Sequence, residues 1–71
     1  MEIDKTLGKQ IQKLRQGSGI NQVEFAEQCA ISKTHYGRLE RGENSMTIGT
    51  FLLISKELGV SMSDILKSIG Y

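Results

Sequence analysis

The chain has 71 residues, of which nine are Lys or Arg, eight are Asp or Glu and one is His, so its net charge is +1. This length predicts a single domain, residues 1–71, with a small core, and the near-neutral charge does not by itself indicate a nucleic-acid binder. One Cys and one His exclude an internal disulfide and a zinc-site spacing, and no stretch approaches the length of a membrane span or resembles a signal peptide, so a cytoplasmic protein without a membrane partner is expected.

The first segment predicts a helix. Its apolar residues recur at spacings of four, four and three, which is typical of one helix face. These residues are Ile3, Leu7, Ile11 and Leu14. Asp4 is expected to cap this helix, and Gly17 and Gly19 are expected to end it.

Two shorter helices follow. Asn21 is the expected cap of the second helix, whose inward residues are Phe25, Ala26 and Cys29. A turn at Ala30 and Ile31 separates it from the third helix. That helix is expected to have its cap at Ser32, inward residues at Tyr36 and Leu39, and its end at Gly42.

The remaining residues predict two more helices. Thr47 is the expected cap of the fourth, Gly59 is its expected end, and its apolar residues are Ile48, Phe51, Leu52 and Leu58. Ser61 or Ser63 opens a fifth helix that contains Ile65 and Leu66. No segment alternates with period two, so the prediction is an all-α bundle of five short helices.

The second and third helices are separated by about three residues, which is the spacing of a helix-turn-helix, although an ordinary pair of packed helices is the alternative. With Tyr36 and Leu39 buried, one face of the third helix points outward. It carries Lys33, Thr34, Gly37, Arg38 and Arg41. That face contains cations and a hydroxyl but no acid, whereas a merely solvated face usually mixes both charges. The pattern indicates a surface for an anion.

Residues 20–42 resemble the Cro/repressor-type helix-turn-helix family. The shared features are Gln at the start of the second helix, Phe-Ala within it and the closing Leu-Glu-Arg-Gly. The resemblance covers about residues 5–66 and is strongest for short stand-alone regulators, such as phage repressors and restriction–modification controller proteins. It implies a compact five-helix, lambda-repressor-like fold, a helix-turn-helix at about residues 21–41, and double-stranded DNA as the partner.

The resemblance also implies roles for individual residues. Bases would be contacted by Lys33, Thr34 and Arg38, three positions that the outward spacing also selects. The DNA backbone would be contacted by Gln22, Ser32, His35, Arg41, Asn44 and Ser45. Arg15 and Glu40 match a structural ion pair that links the first helix to the third. For Arg38 the alternatives are a phosphate contact or a surface ion pair with Glu24 or Glu27.

Three positions depart from the family pattern. Ala30 stands where the turn usually has Gly, so either the turn differs or Ala adopts a strained left-handed conformation. Met46 stands where a Pro is frequent before the fourth helix. Gly37 is unfavourable inside a helix, and its expected benefit is room for the backbone or Arg38 to approach DNA.

A single recognition helix reads few base pairs, so a homodimer on a palindromic operator is expected. The dimerisation region is predicted at about residues 48–71, with an interface formed by Leu53, Ile65, Leu66, Ile69 and Tyr71. The alternative is that this apolar tail folds back onto the core. With no room for a sensor domain, regulation is expected to follow protein concentration, as in an autoregulated repressor or controller.

Other functional classes have less support. A protein-interaction module of the same fold and an antitoxin are the alternative functions. No nucleophile–base pair, paired carboxylates or phosphate loop indicates an enzyme, and no cofactor, metal or small-molecule ligand is expected. Activating relatives touch RNA polymerase near the position of Glu27, for which a solvated surface acid is the alternative. His35 is interpreted as a surface residue and Cys29 as a core residue.

Overall fold

A computed structural model describes residues 1–71 and contains five helices and no strand, which confirms the predicted all-α architecture. The helices are α1 (Glu2–Gly17), α2 (Gln22–Gln28), α3 (Lys33–Arg41), α4 (Ile48–Leu58) and α5 (Met62–Ser68). None of them is both long enough and apolar enough to cross a bilayer.

Side-chain caps determine where four of the helices begin. The side-chain oxygens of Asn21, Ser32, Thr47 and Ser61 each accept a hydrogen bond from the backbone N–H three residues later. The cap prediction for α1 is wrong, because Met1 precedes the helix and Asp4 lies inside its first turn. The Asp4 carboxylate accepts a hydrogen bond from the amino group of Met1 at 3.1 Å.

The turn between α2 and α3 keeps the left-handed conformation that glycine normally supplies. Ala30 has φ +58° and is the only residue other than glycine with a positive φ. The N–H of Ile31 closes the turn by donating to the carbonyl of Ala26 at 2.9 Å. Of the two alternatives for this turn, the structure shows the strained one, which costs about 1–2 kcal/mol for an L-residue.

The core lies between all five helices and is centred on two aromatic rings. Its buried apolar residues are Leu7, Ile11, Phe25, Ala26, Cys29, Tyr36, Leu39, Phe51, Ile54 and Ile65. The rings of Phe25 and Tyr36 are 5.3 Å apart and tilted, a favourable arrangement for aromatic pairs. Burial, with the charge of Glu57 as a smaller cause, raises the pKa of the Cys29 thiol to about 11. Cys29 is therefore an inert core residue.

Two glycines allow α1 to cross α3 at close range. A Cβ atom on Gly8 would lie within 2.6 Å of the Glu40 carbonyl oxygen, and one on Gly42 would lie 2.6 Å from the Cα of Lys5. Real Cβ atoms do not approach other atoms so closely, so a larger residue would push the helices apart. The end of α3 is thus fixed against the first half of α1.

The outer side of α4 is more exposed than its sequence suggests. Ile48, expected to contribute apolar area to the bundle, is 74% exposed, and Leu52 is 39% exposed. The fully buried residue of this helix is Ile54. The reason is geometric, because α4 packs against α5 and the core through one side and leaves Ile48, Leu52 and Leu53 exposed.

Candidate nucleic-acid interface

The inner side of α3 is held by a hydrogen-bonded hub around the Glu40 carboxylate. Arg15 donates to it twice, from Nε at 2.7 Å and from Nη2 at 3.2 Å, and Gln22 Nε2 donates at 2.8 Å. The hydroxyl of Tyr36 donates to the same carboxylate. Arg15 also donates from Nη1 to the carbonyl of Ile20 at 2.8 Å. The hub thus joins α1, α2 and α3 through one carboxylate.

The charges of this hub are set by its contacts. Burial raises the pKa of the Glu40 carboxyl, but hydrogen bonds from Arg15, Tyr36 and Gln22 together outweigh it and leave the pKa below its usual value. Burial and the bond to Glu40 raise the pKa of Tyr36. At neutral pH the hub therefore holds an ionised carboxylate, a neutral phenol and a guanidinium. The side chains of Arg15 and Glu40 are only 8% and 1% exposed.

The outer side of α3 carries the three residues expected to contact bases. Lys33, Thr34 and Arg38 are all exposed. None of the ion pairs or side-chain hydrogen bonds in the structure involves them, so the alternative pairing of Arg38 with Glu24 or Glu27 is not formed. Their polar atoms are available to a ligand.

The expectation that Gly37 lies open on this outer face is wrong. Gly37 is buried, because the side chain of Arg41 lies over it. A Cβ atom at Gly37 would be 3.1 Å from Arg41 Nη1. The missing side chain makes room for the protein's own arginine.

The residues expected to contact the DNA backbone fall into three groups. Gln22 and Ser32 belong to the scaffold, since Gln22 binds Glu40 and Ser32 caps α3 by accepting from the N–H of His35 at 3.1 Å. The side chains of Asn44 and His35 make no hydrogen bond, and His35 is exposed.

Two of these predicted phosphate contacts are instead paired with acids. Arg41 Nε lies 2.6 Å from Glu43 Oε2, and Ser45 donates its hydroxyl to Asp4 at 3.0 Å. Each would have to exchange its acidic partner for a phosphate. Neither Glu43 nor Asp4 was assigned to this surface from the sequence. Glu43 lies two residues after Arg41, so its proximity to that arginine could have been predicted from the sequence. Asp4 and Ser45 are 41 positions apart, and nothing local indicates their contact.

The apolar C-terminal cluster lies largely against the core. Ile65 is 1% exposed, so its prediction as a dimer contact is wrong, because α5 packs on α1 and α4 and covers it. Leu66 and Ile69 are half-buried and pack against the core. Of the predicted interface residues, Leu53 at 49% and Tyr71 at 70% remain exposed.

Comparison with known proteins identifies the family. The sequence profile of a family described as helix-turn-helix matches residues 11–65. The control protein C.SmaI of Serratia marcescens is 27% identical over 70 residues, which are 99% of this chain and 83% of that protein. Among solved structures, the clp gene regulator ClgR from Corynebacterium glutamicum has a TM-score of 0.89 and 26% identity, over 93% of this chain and 70% of that one. The restriction-modification controller protein C.AhdI from Aeromonas hydrophila has a TM-score of 0.87 over 92% of this chain and 98% of that one, and at 18% identity it supports the fold alone. The chain therefore belongs to the helix-turn-helix family of transcription regulators.

Proposed function

We propose that this chain is a sequence-specific regulator that binds double-stranded DNA with α3 in the major groove. One observation carries the proposal. Every buried side-chain nitrogen and oxygen has a hydrogen-bond partner. By contrast, Lys33, Thr34 and Arg38 lie exposed on the outer side of α3, and their side chains have no partner within the protein. Polar groups that are exposed and unpaired on a rigid helix are free to bind the edges of bases.

Each of the three residues has a distinct chemical role. Arg38 presents a planar guanidinium that fits the O6 and N7 atoms of guanine. Lys33 has a compact, mobile charge that serves a guanine or a phosphate equally well. Thr34 offers a methyl group to thymine and a hydroxyl to the backbone. Arg38 is therefore the residue that should contribute most to base preference.

Gln22 and Ser32 can contact phosphates without leaving their positions in the scaffold. The side-chain amide of Gln22 has two N–H donors, of which one binds Glu40 and the second remains free. The Ser32 hydroxyl accepts a bond as a cap and still has its own proton to donate. These contacts would align α3 on the duplex without distinguishing one base sequence from another.

We also infer a homodimer, because one recognition helix reads too few base pairs. Two copies would place their helices in successive major grooves, about 34 Å apart, on a palindromic site. Within the predicted dimerisation region, the exposed apolar residues of α4 are Ile48, Leu52 and Leu53. Leu52 continues into an apolar groove between α4 and α5 lined also by Val60 and Met62. With Ile65 buried, this side of α4 is the proposed two-fold contact.

The name of one relative suggests a biological role. The relative C.SmaI is a control protein. We propose a similar role here, in which an operator is occupied once the chain is concentrated enough to dimerise. Coupling dimerisation to DNA binding gives a threshold response without a small-molecule signal.

Selection of duplexes from a random DNA pool tests this function. We expect the chain to retain a palindrome whose half-sites lie about one helical turn apart. Sedimentation of the same preparation should show a dimer at the concentration that binds. Recovery of a single half-site would contradict the proposed dimer. Recovery of no preferred sequence would favour the alternative function, a protein-interaction module of the same fold.

A further inference from the structure

Arg41 is the one cation on the outer surface of α3 that already has a partner. Its Nε lies 2.6 Å from Glu43 Oε2, and its Nη2 lies 3.5 Å from Glu43 Oε1. Both side chains remain about half exposed, at 55% for Arg41 and 52% for Glu43. The carboxylate thus occupies guanidinium donors that a phosphate could otherwise bind.

The backbone of α3 is adapted to this arrangement. Gly37 lies one turn before Arg41, and a Cβ atom there would be 3.1 Å from Arg41 Nη1. A Cβ atom at position 37 would require the guanidinium to shift by a few tenths of an ångström. The arginine therefore lies along its own helix, with Gly37 beneath it and Glu43 at its end.

Glu43 also lies within the field of a second arginine. Hydrogen bonding from Arg41 is the largest cause that lowers the pKa of the Glu43 carboxyl, and the positive charge of Arg38 lowers it further. The carboxylate is therefore ionised at neutral pH. It places a negative charge next to the surface that we expect to meet the phosphates.

We propose that Glu43 is a positioning residue that withholds Arg41 from DNA and so limits the sequence-independent part of the affinity. This inference rests on the proposed DNA-binding function. A duplex must either displace the carboxylate from Arg41 or accept it close to a phosphate, and either event weakens binding to every sequence alike. Glu43 forms no hydrogen bond with Lys33 or Arg38, so we expect the geometry of their base contacts, and hence base preference, to stay the same.

Salt dependence separates this role from a structural one. Each phosphate neutralised by a cation adds about 0.9 to the slope of log affinity against log salt. Freeing Arg41 with Glu43→Gln should make the slope steeper by about that amount. At about 0.1 M salt, one additional released counterion corresponds to about five- to tenfold tighter binding. The gain should be similar for a selected operator and for a mixed-sequence duplex.

The experiment compares four proteins by fluorescence anisotropy across a range of salt concentrations. They are the native chain, Glu43→Gln, the double variant Arg41→Ala with Glu43→Gln, and Glu57→Gln. Glu57→Gln is the matched control, because Glu57 is an exposed acid of α4 without an ion pair and its loss changes net charge equally. Arg41→Ala with Glu43→Gln should lose the whole gain if Glu43 acts through Arg41.

The outcomes separate the inference from the function on which it rests. If the native chain binds duplexes and Glu43→Gln behaves like Glu57→Gln, the role of Glu43 is overturned while DNA binding stands. Weaker binding by Glu43→Gln would also overturn it, since Glu43 would then be holding Arg41 in place for a phosphate. Absence of binding by all four proteins, even at low salt, would overturn both.

Discussion

The inner and outer sides of α3 both carry charged side chains, but those on the inner side are buried and hydrogen-bonded, whereas Lys33 and Arg38 on the outer side are exposed and unpaired. On the inner side, Glu40 accepts bonds from Arg15, Gln22 and Tyr36, and its side chain is 1% exposed. On the outer side, Lys33 and Arg38 are exposed and have no partner. The difference shows how one nine-residue helix serves two purposes. Saturated contacts fix its orientation, and unsaturated ones leave charge available to a ligand.

The C-terminal end of α3 lies between these two states. Arg41 is exposed like the outer residues but bound to an acid like the inner ones. An exposed ion pair of this kind is weak enough for a phosphate to displace Glu43, but the displacement lowers the net affinity for DNA. Partner exchange is therefore feasible at this end of the helix, whereas it would disrupt the fold at Glu40.

Removal of Glu40 from the inner side of α3 should lower the free energy of unfolding more than the other substitutions described below. Glu40→Ala leaves the buried Arg15 guanidinium without its carboxylate, and an unpaired buried charge costs about 3 kcal/mol or more. Urea unfolding should show this loss in the free energy of unfolding. Glu57→Ala, which removes an exposed acid, should change it by less than about 0.5 kcal/mol. Similar small losses in both variants would mean that the hub does not hold α3.

A substitution in the turn before α3 should have a smaller effect of opposite sign. Ala30→Gly removes the left-handed strain of about 1–2 kcal/mol, while the added freedom of the unfolded chain takes back about 0.4–1 kcal/mol. We expect a net gain of about 0.5–1 kcal/mol in the free energy of unfolding, measured by thermal or urea denaturation.

Gly19→Ala is the matched control for that change. Gly19 has φ +75°, and no atom lies within 4 Å of an added Cβ, so only backbone conformation is altered. The substitution should destabilise the fold by about the amount that Ala30→Gly stabilises it. A stabilising Gly19→Ala, or a neutral Ala30→Gly, would show that left-handed strain is not what separates these two turns.

The sequence predicts the parts of this structure that depend on neighbours in the chain. Helix caps act over three residues, so Asn21, Ser32 and Thr47 could be identified locally, whereas the cap of α5 was narrowed only to Ser61 or Ser63 and is Ser61. Apolar periodicity likewise indicated the inward side of α1, α2 and α3, but not that of α4, where Ile48 and Leu52 are exposed. The misplaced cap of α1 is the local exception, since Asp4 has the residue type of a cap but lies one turn too late.

Features that depend on tertiary contacts could not be obtained in that way. The burial of Ile65 depends on α5 packing against α1 and α4, which its own sequence does not specify. The link between Ser45 and Asp4 joins residues 41 positions apart. Gly8 has no local reason to be glycine, and only the crossing of α1 over α3 explains it. The pairing of Arg15 with Glu40, 25 positions apart, was indicated first by family resemblance, with the expected inward position of both residues as a further reason.

The central claim is that the outer side of α3 reads base pairs, and an operator titration of Arg38→Ala tests it most directly. The selected operator is compared with duplexes altered at one base pair at a time, and Lys67→Ala, an exposed cation of α5, is the charge-matched control. The prediction is a loss of about 1–3 kcal/mol in binding free energy together with relaxed preference at one base pair, and nearly native binding by Lys67→Ala. If Arg38→Ala keeps both native affinity and native preference, α3 does not read DNA through this face.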